Sequence, residues 1–469
     1  MGEKVVPKEQ IMIEWILGGL GGGLSGALMW LGRHTFFMMA RKTAALADSM
    51  LAVGRGEMSE RRLWAGMGQT LLHLGTFAAV VLLAIVAGML PAWGWGWTEG
   101  ATHELPNGWA WGLGFSLCLW LLSLLRNQGP YSEWAQLLHH LVLDQPYLGR
   151  ALLAHDHRFR RQPCPAPEAR FLVVSGLARA GTTVLTQQLE RSGPFASLSY
   201  ANMPFLLAPN LWARLYRPRS GGKTERSHGD NITHDWRSVE ALEEYFFKVM
   251  LRDSYIAADS LRIHPLPEDI HDQYLAYQTL VRKDAHQLYL AKNNNLILRY
   301  ASLRKQNPVF RAVFLFREPL SHAASLLTQH QRFCEAQREN PFTQTYMDWL
   351  GHHEFGLNHK PFALPTASPS HQAHPAQLDY WLDVWISYYT YLLEVIDQKD
   401  LLVDYEDLAL NPLATIKAIG DHWGIPLKLP KEIEPYPPIR RRTSSASEEQ
   451  MQRAEALFKR LQARKAMVT

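Results

Sequence analysis

Cysteine is nearly missing from this chain: there are three in 469 residues, at Cys118, Cys164 and Cys334. They lie far apart and lack metal-ligand spacing. They cannot build a disulfide framework, so a reducing compartment is expected rather than a secretory one. A strong charge of one sign is missing too. The net charge is only +4, and no Lys/Arg block is interleaved with aromatics, which excludes nucleic acid as an expected partner. Internal repeats and low-complexity tracts are also absent. What remains is a long chain of globular average composition, 47% hydrophobic and 20% charged, with room for two or three units. That average hides two unlike parts. The first 130 or so residues are crowded with Leu, Gly, Ala and Trp, whereas the rest alternates apolar and charged runs.

Three uncharged apolar stretches stand out: 15–32 and 71–90 are each about the length of a bilayer span, and 109–125, bounded by Arg126, is slightly short of it. The first is a poor signal peptide, because its Gly-rich run ends in Arg33-His34-Thr35 with no small-residue cleavage site. The loop after it carries Arg33, Arg41, Lys42, Arg55, Arg61 and Arg62, while 91–108 carries Glu99 and Glu104 but no Lys or Arg. Positive loops stay cytoplasmic, so everything after Arg126 is expected in the cytoplasm, with Trp93, Trp95, Trp97 and Trp109 as an outer aromatic belt. The glycines between Gly18 and Gly26 would let a neighbouring helix approach closely. The expected organisation is a membrane region over 1–126, an amphipathic connector over 127–170, an α/β domain over 171–445 and a C-terminal helix over 446–469.

The run Phe171-Leu-Val-Val-Ser175 reads as a buried strand, followed by Gly176-Leu-Ala-Arg-Ala-Gly181-Thr-Thr183 and a helical segment over 184–191. Strand, glycine loop and helix together point backbone N–H groups and a helix N-terminus at an anion. The two glycines have Walker A spacing, but Thr182 stands where a nucleotide triphosphatase needs lysine, and the cation, Arg179, sits inside the loop. The segment Arg179-Ala-Gly181-Thr182-Thr183 resembles the 5′-phosphosulfate loop of sulfotransferases that use 3′-phosphoadenosine 5′-phosphosulfate (PAPS). The chemistry agrees. A guanidinium in the loop can neutralise charge growing on the leaving 5′-phosphate without a magnesium ion.

Further segments carry the same resemblance. A second apolar strand, 310–316, ends in Arg317-Glu-Pro319, with Ser325 eight residues after the arginine, which is similar to the family's 3′-phosphate motif. Tyr289-Leu-Ala-Lys292-Asn293 is similar to the segment whose lysine reaches the reacting sulfonate. The run 401–408 with Asn411-Pro412 looks like the closing strand and helix, where Tyr405 would lie near adenine while Glu406 and Asp407 anchor structure. Arg440-Arg-Arg442 matches a late basic loop by position only. The resemblance covers roughly 171–426. It implies an α/β fold with a parallel, P-loop-like sheet, here preceded by an all-α transmembrane region. It also implies PAPS as co-substrate without a metal, with Arg179 and Lys292 acting on the transferring group. Gly181, Thr182, Thr183, Arg317, Ser325 and Tyr405 would bind the nucleotide.

The proton of the acceptor needs a base. Residues 200–244 contain His228-Gly-Asp230 and the acidic set Glu240, Glu243 and Glu244. His228 is the first choice, because imidazole is matched to neutral pH, and Asp230 and Glu244 are the other candidates. The stretch 340–377 reads as an irregular, histidine-rich insertion that would cover the acceptor. Its His352, His353, His359, His371 and His374 lack the spacing of a zinc site. The expected enzyme sits in a bacterial inner membrane, multi-pass, with its catalytic domain in the cytoplasm. Its acceptor is a membrane-held hydroxyl or amine of a lipid, glycolipid or lipid-linked saccharide. A P-loop kinase-like phosphotransferase and a catalytically silent membrane scaffold are the alternatives.

Overall fold

The computed structural model describes residues 8–99, 112, 114–115, 117–119, 133–216, 224–225, 233–234, 241–366, 374–433, 436 and 447–465. They divide into two compact units, Met1–Leu148 and Gly149–Thr469.

The first unit is helical. Helix α1 (Lys8–Leu31) gives way at Gly32 to α2 (Arg33–Gly54), and α3 (Glu60–Glu99) follows. Among the described residues one helix, within Glu60–Pro91, is long and apolar enough to cross a membrane. A second exists only if Trp15–Leu31 and Arg33–Gly54, bent by 50°, form one broken span. Three separate spans are therefore not what the described residues present. The stretch 109–125 lies almost wholly outside them, as do the side chains of Trp93, Trp95, Trp97 and Trp109. The break after Leu31 has a polar cause. Arg33 donates to the Trp30 carbonyl at 2.7 Å, lies 4.0 Å from the centre of the Trp30 ring and pairs with Glu133 at 2.8 Å. On α3, Leu71, Leu72, Leu82 and Leu83 are each more than 60% exposed, leaving an apolar flank that water does not favour. Glycine does permit close approach here, since a Cβ on Gly114 would lie 2.3 Å from the Gly19 carbonyl oxygen. In the expected connector, α4 (Glu133–Leu143) buries Leu137, Val142 and Leu143, and sets Trp134 against Phe36 and Phe37.

The second unit is α/β. Its central sheet holds β1 (Phe171–Gly176), β2 (Phe195–Ala196), β3 (Leu288–Lys292), β4 (Arg311–Phe316) and β5 (Leu401–Asp404), all parallel, in the order β2-β3-β1-β4-β5. These strands are continuous apolar runs because both faces are covered. On one face Leu172, Val174, Leu290, Val313, Leu315 and Val403 pack with Leu185 and Leu189 of α5 (Thr182–Ser192) and with Ile416 and Ile419. On the other, Phe171 meets Tyr274 at 5.4 Å, Phe314 meets Tyr300 at 5.3 Å, and Phe316 meets Phe458 at 5.8 Å.

Asp400 pins the start of the last two strands. Its carboxylate accepts from the Ala312 amide at 2.8 Å and also from Tyr300 and Arg304. That fixes where the chain leaves β4 toward Arg317 and β5 toward Tyr405. The stretch expected to be irregular contains a helix, Pro341–Trp349. Asn340 caps it by accepting from the Phe342 amide at 3.1 Å, and Pro341 is its first residue, which is a regular helix start.

Candidate active site

The loop after β1 is built on conformations that most side chains avoid. Gly176 has φ +146°, and a Cβ there would sit 2.7 Å from the Leu315 carbonyl of the neighbouring strand. Gly181 has φ +95° and caps α5; its Cβ would meet the Tyr405 ring at 2.4 Å. Arg179 lies between them at φ +70°, a left-handed conformation that costs a non-glycine residue about 1–2 kcal/mol. The turn closes through Ala180 N–H to the Leu177 carbonyl at 3.1 Å. The first amides of α5, at Thr182 and Thr183, have no acceptor within the helix, and the helix dipole adds positive potential there.

The second motif meets this loop. Arg317 is the first residue after β4, and helix α6 (Pro319–Glu339) begins at once, capped by the Glu318 carboxylate on the Leu320 and Ser321 amides. Ser325 comes round to the loop and accepts from Arg179 Nε at 3.3 Å. The Arg317 guanidinium lies 5.1 Å from the centre of the Tyr405 ring, whose edge already contacts Gly181. Arg179, Gly181, Arg317, Ser325 and Tyr405 are thus one cluster. Burial pulls the Arg317 pKa down, and Arg179 adds to that by repulsion, although an arginine stays charged. Its buried Nε–H has no hydrogen-bond partner among the described residues. Two like charges, a buried unmet donor and a helix N-terminus form a donor set that fits a bisphosphate. Of the acids nearby, Glu318 caps α6, and burial and the adjacent Asp404 push Glu406 up to about 8. Asp407 pairs with Lys465 at 2.6 Å.

Sequence reasoning missed His322. Its Nε2 lies 2.7 Å from the Ala178 carbonyl, inside the loop. Burial, then the charges of Arg317 and Arg179, push the imidazole down to about 3 against the pull of the Ala178 bond. The only available signal was its spacing, three residues before Ser325 and so on the same helix face.

Lys292 ends β3 in register with Val174. Alternation along β3 places it on the same face as Leu290, the face that packs with α5. Asn293 points the other way. Its amide donates to Glu243 at 3.0 Å and Glu244 at 3.1 Å, and its Oδ1 accepts from the Asn295 amide at 2.9 Å. Glu244 is no free base. Both of its oxygens bind Arg299, at 2.7 and 2.8 Å, and Tyr255 donates to it as well. Burial alone would raise its pKa, but the Arg299 charge and hydrogen bonds hold it below the ordinary carboxylate value. Glu243 goes the other way: burial raises it, despite donors on Tyr274 and Asn293. His228, Asp230, Glu240 and Arg440 to Arg442 lie outside the described residues.

Three of the insertion's histidines serve local packing, while His374 is exposed and accepts from the Ala376 amide at 3.2 Å. His352 reaches the Ala241 carbonyl at 2.6 Å, His353 the Asn358 carbonyl at 3.0 Å, and His359 the Tyr380 hydroxyl at 2.7 Å; His371 lies outside the described residues. Among the described residues no group of three His, Cys, Asp or Glu side chains is placed to hold a metal ion.

Removing Arg299 strands a buried carboxylate, so Arg299→Met should destabilise the unit by about 3–5 kcal/mol at neutral pH. Because the folded pKa of Glu244 is depressed, the pair stabilises above the ordinary carboxylate range and loses that contribution as pH falls through the folded value. The gap between wild type and variant in urea unfolding should therefore narrow on acidification. A gap that held constant with pH would contradict the assignment.

No family model and no curated protein matches this chain. Solved structures do match, at low similarity. One is a sulfotransferase from Mycobacterium tuberculosis, with 14% identity over 70% of this chain and 82% of that one, and a TM-score of 0.33. Another is from Mycobacterium avium, with 13% identity over 78% and 86% and a TM-score of 0.33. A third is from Alicyclobacillus acidocaldarius, with 13% identity over 63% and 93% and a TM-score of 0.30. The chain is thus similar in structure to bacterial sulfotransferases.

Proposed function

We propose that the second unit transfers the sulfonate of PAPS to a hydroxyl or amine. The observation that carries this reading is the single cluster formed by Arg179, Ser325 and Arg317 around Tyr405, with no lysine in the loop's Walker position. PAPS supplies an activated S–O bond. That bond breaks toward the 5′-phosphate while a new S–O or S–N bond forms, and the acceptor's proton leaves to a base. Arg179, with the amides of Thr182 and Thr183, takes the charge that grows on the 5′-phosphate. Lys292 faces the transferring group. Arg317 and Ser325 grip the 3′-phosphate, which ATP does not have. His228 takes the proton, with Asp230 the other candidate once Glu244 is committed to Arg299.

We also place the acceptor at a membrane. The exposed apolar flank of α3 supports this, since such a surface needs cover that lipid can provide. A membrane-held enzyme meets lipid-linked hydroxyls at high effective concentration. The acceptor class is therefore a lipid, glycolipid or lipid-linked saccharide.

Three outcomes follow. Adenosine 3′,5′-bisphosphate should bind more tightly than AMP, and Arg317→Ala should weaken it by about 1.5–3 kcal/mol in titration calorimetry; equal affinity for the two nucleotides in the unmutated protein would remove the 3′-phosphate assignment. Arg179→Ala and Lys292→Ala should each slow turnover by about 10²–10³-fold, and a fully active Lys292→Ala variant would return the kinase-like alternative. Labelled sulfonate from PAPS, supplied to the full chain in native membrane, should appear in the lipid extract. Label confined to the aqueous extract would sink the lipid acceptor.

A further inference from the structure

His322 makes no use of one of its two ring nitrogens. A carbonyl only accepts, so the 2.7 Å contact with Ala178 places the proton on Nε2. Nδ1 is then a lone pair, and no donor reaches it among the described residues, although the side chain is fully buried. A leucine here would remove the unmet nitrogen, but also the donor that meets the Ala178 carbonyl.

The bond it does make falls at a sensitive point. The Ala178 carbonyl belongs to the same peptide plane as the Arg179 amide. Arg179 is held at φ +70° without being glycine. The simplest way out of that strain is rotation of this plane, which changes ψ of Ala178 and φ of Arg179 together. Pinning the carbonyl blocks the rotation. The far end of Arg179 is held by Ser325, one turn along the same helix face as His322. Helix α6 therefore grips the loop at backbone and side chain, three residues apart. Burial, with Arg317 and Arg179 nearby, keeps the imidazole neutral across the working range, so the tautomer does not change.

We propose that His322 is a positioning residue for the phosphate loop, its Nε2–H locking the 178–179 peptide so that Arg179 stays in its left-handed conformation. This rests on the reading of Arg179 as the cation of the transfer, and the test separates the two. His322→Leu removes the bond and the unmet lone pair together. His322→Gln keeps an N–H that can reach the Ala178 carbonyl. In the ligand-free full chain, hydrogen exchange of the peptide spanning 176–183 should speed up by about tenfold or more in the leucine variant and return toward wild type in the glutamine variant. Melting temperature should change little. With PAPS, the leucine variant should lose about 10–100-fold in turnover, as for other residues that orient a reacting group. Its Kd for adenosine 3′-monophosphate, which has no 5′-phosphate for the loop to hold, should move by less than about threefold, because Arg317 is untouched. Should the leucine variant fail to fold, His322→Asn, whose shorter amide falls short of the carbonyl, replaces it. Wild-type loop exchange in the variant lacking the bond would overturn the proposal. A glutamine variant no better than leucine, or a turnover loss matched by a fall in melting temperature, would do the same. If the wild-type chain moved no sulfonate, the exchange arm would still decide the role of His322 while the functional reading alone failed.

Discussion

Parallel strands that share a sheet all leave it at one edge, and in this domain every residue proposed to bind phosphate depends on that edge. β1 delivers the glycine loop, β3 ends in Lys292, β4 hands over to Arg317 and β5 to Tyr405. Residues far apart in the chain meet because their strands stop together. The register is held by apolar packing on both faces and by Asp400, which ties the Ala312 amide of β4 to the residue just before β5. Slipping one strand by a residue would turn its side chains to the opposite face. Lys292 would then exchange places with its neighbours on β3. The chemistry at the edge is thus only as well placed as the hydrophobic register beneath it.

Charge is arranged to suit an anion at that edge. Arg179, Arg317 and Lys292 are cations on or beside it, and several acids close by are engaged or raised. Glu406 is pushed up to about 8 by burial and by Asp404. Asp407 is spent on Lys465. Glu244 is closed off by Arg299, and burial raises Glu243. Asn293 is where the two regions join. Its neighbour Lys292 faces the α5 side, while its own amide is tied to both buried glutamates. That bond fixes the end of β3 from behind, so the lysine starts from a rigid backbone.

Much of this was legible because it was local. The apolar runs at 171–175 and 310–316 became β1 and β4 within a residue, since buried parallel strands are continuous hydrophobic stretches. The loop arginine and the Arg-x-Pro with its serine were visible for the same reason. Pairings across the chain were not. Nothing near Glu244 announces Arg299, 55 residues on, so Glu244 read as a candidate base. The strand order β2-β3-β1-β4-β5 is likewise a property of the assembled sheet. Pro341–Trp349 is a different kind of miss. Its Asn-Pro start was in plain view, but the histidines and prolines around it suggested irregular chain. In the first unit the apolar stretch 71–90 falls within α3. At the first stretch, helix α1 covers 15–31 and ends where the expected span ended, with α2 following at a bend of 50°.

Three departures from local rules meet at the loop after β1. Arg179 is left-handed without being glycine, Arg317 buries an unmet donor, and His322 buries an unmet acceptor. Each costs stability by itself, and a chain selected only to fold would have used glycine, a shorter polar residue and leucine. All three surround the turn between β1 and α5. Glycine at 179 would remove the strain but also the charge. Leucine at 322 would satisfy the core but release the Ala178 carbonyl. The doubly covered sheet supplies the stability that lets these costs persist, and under the proposed transfer a loop already shaped would leave little reorganisation for the transition state.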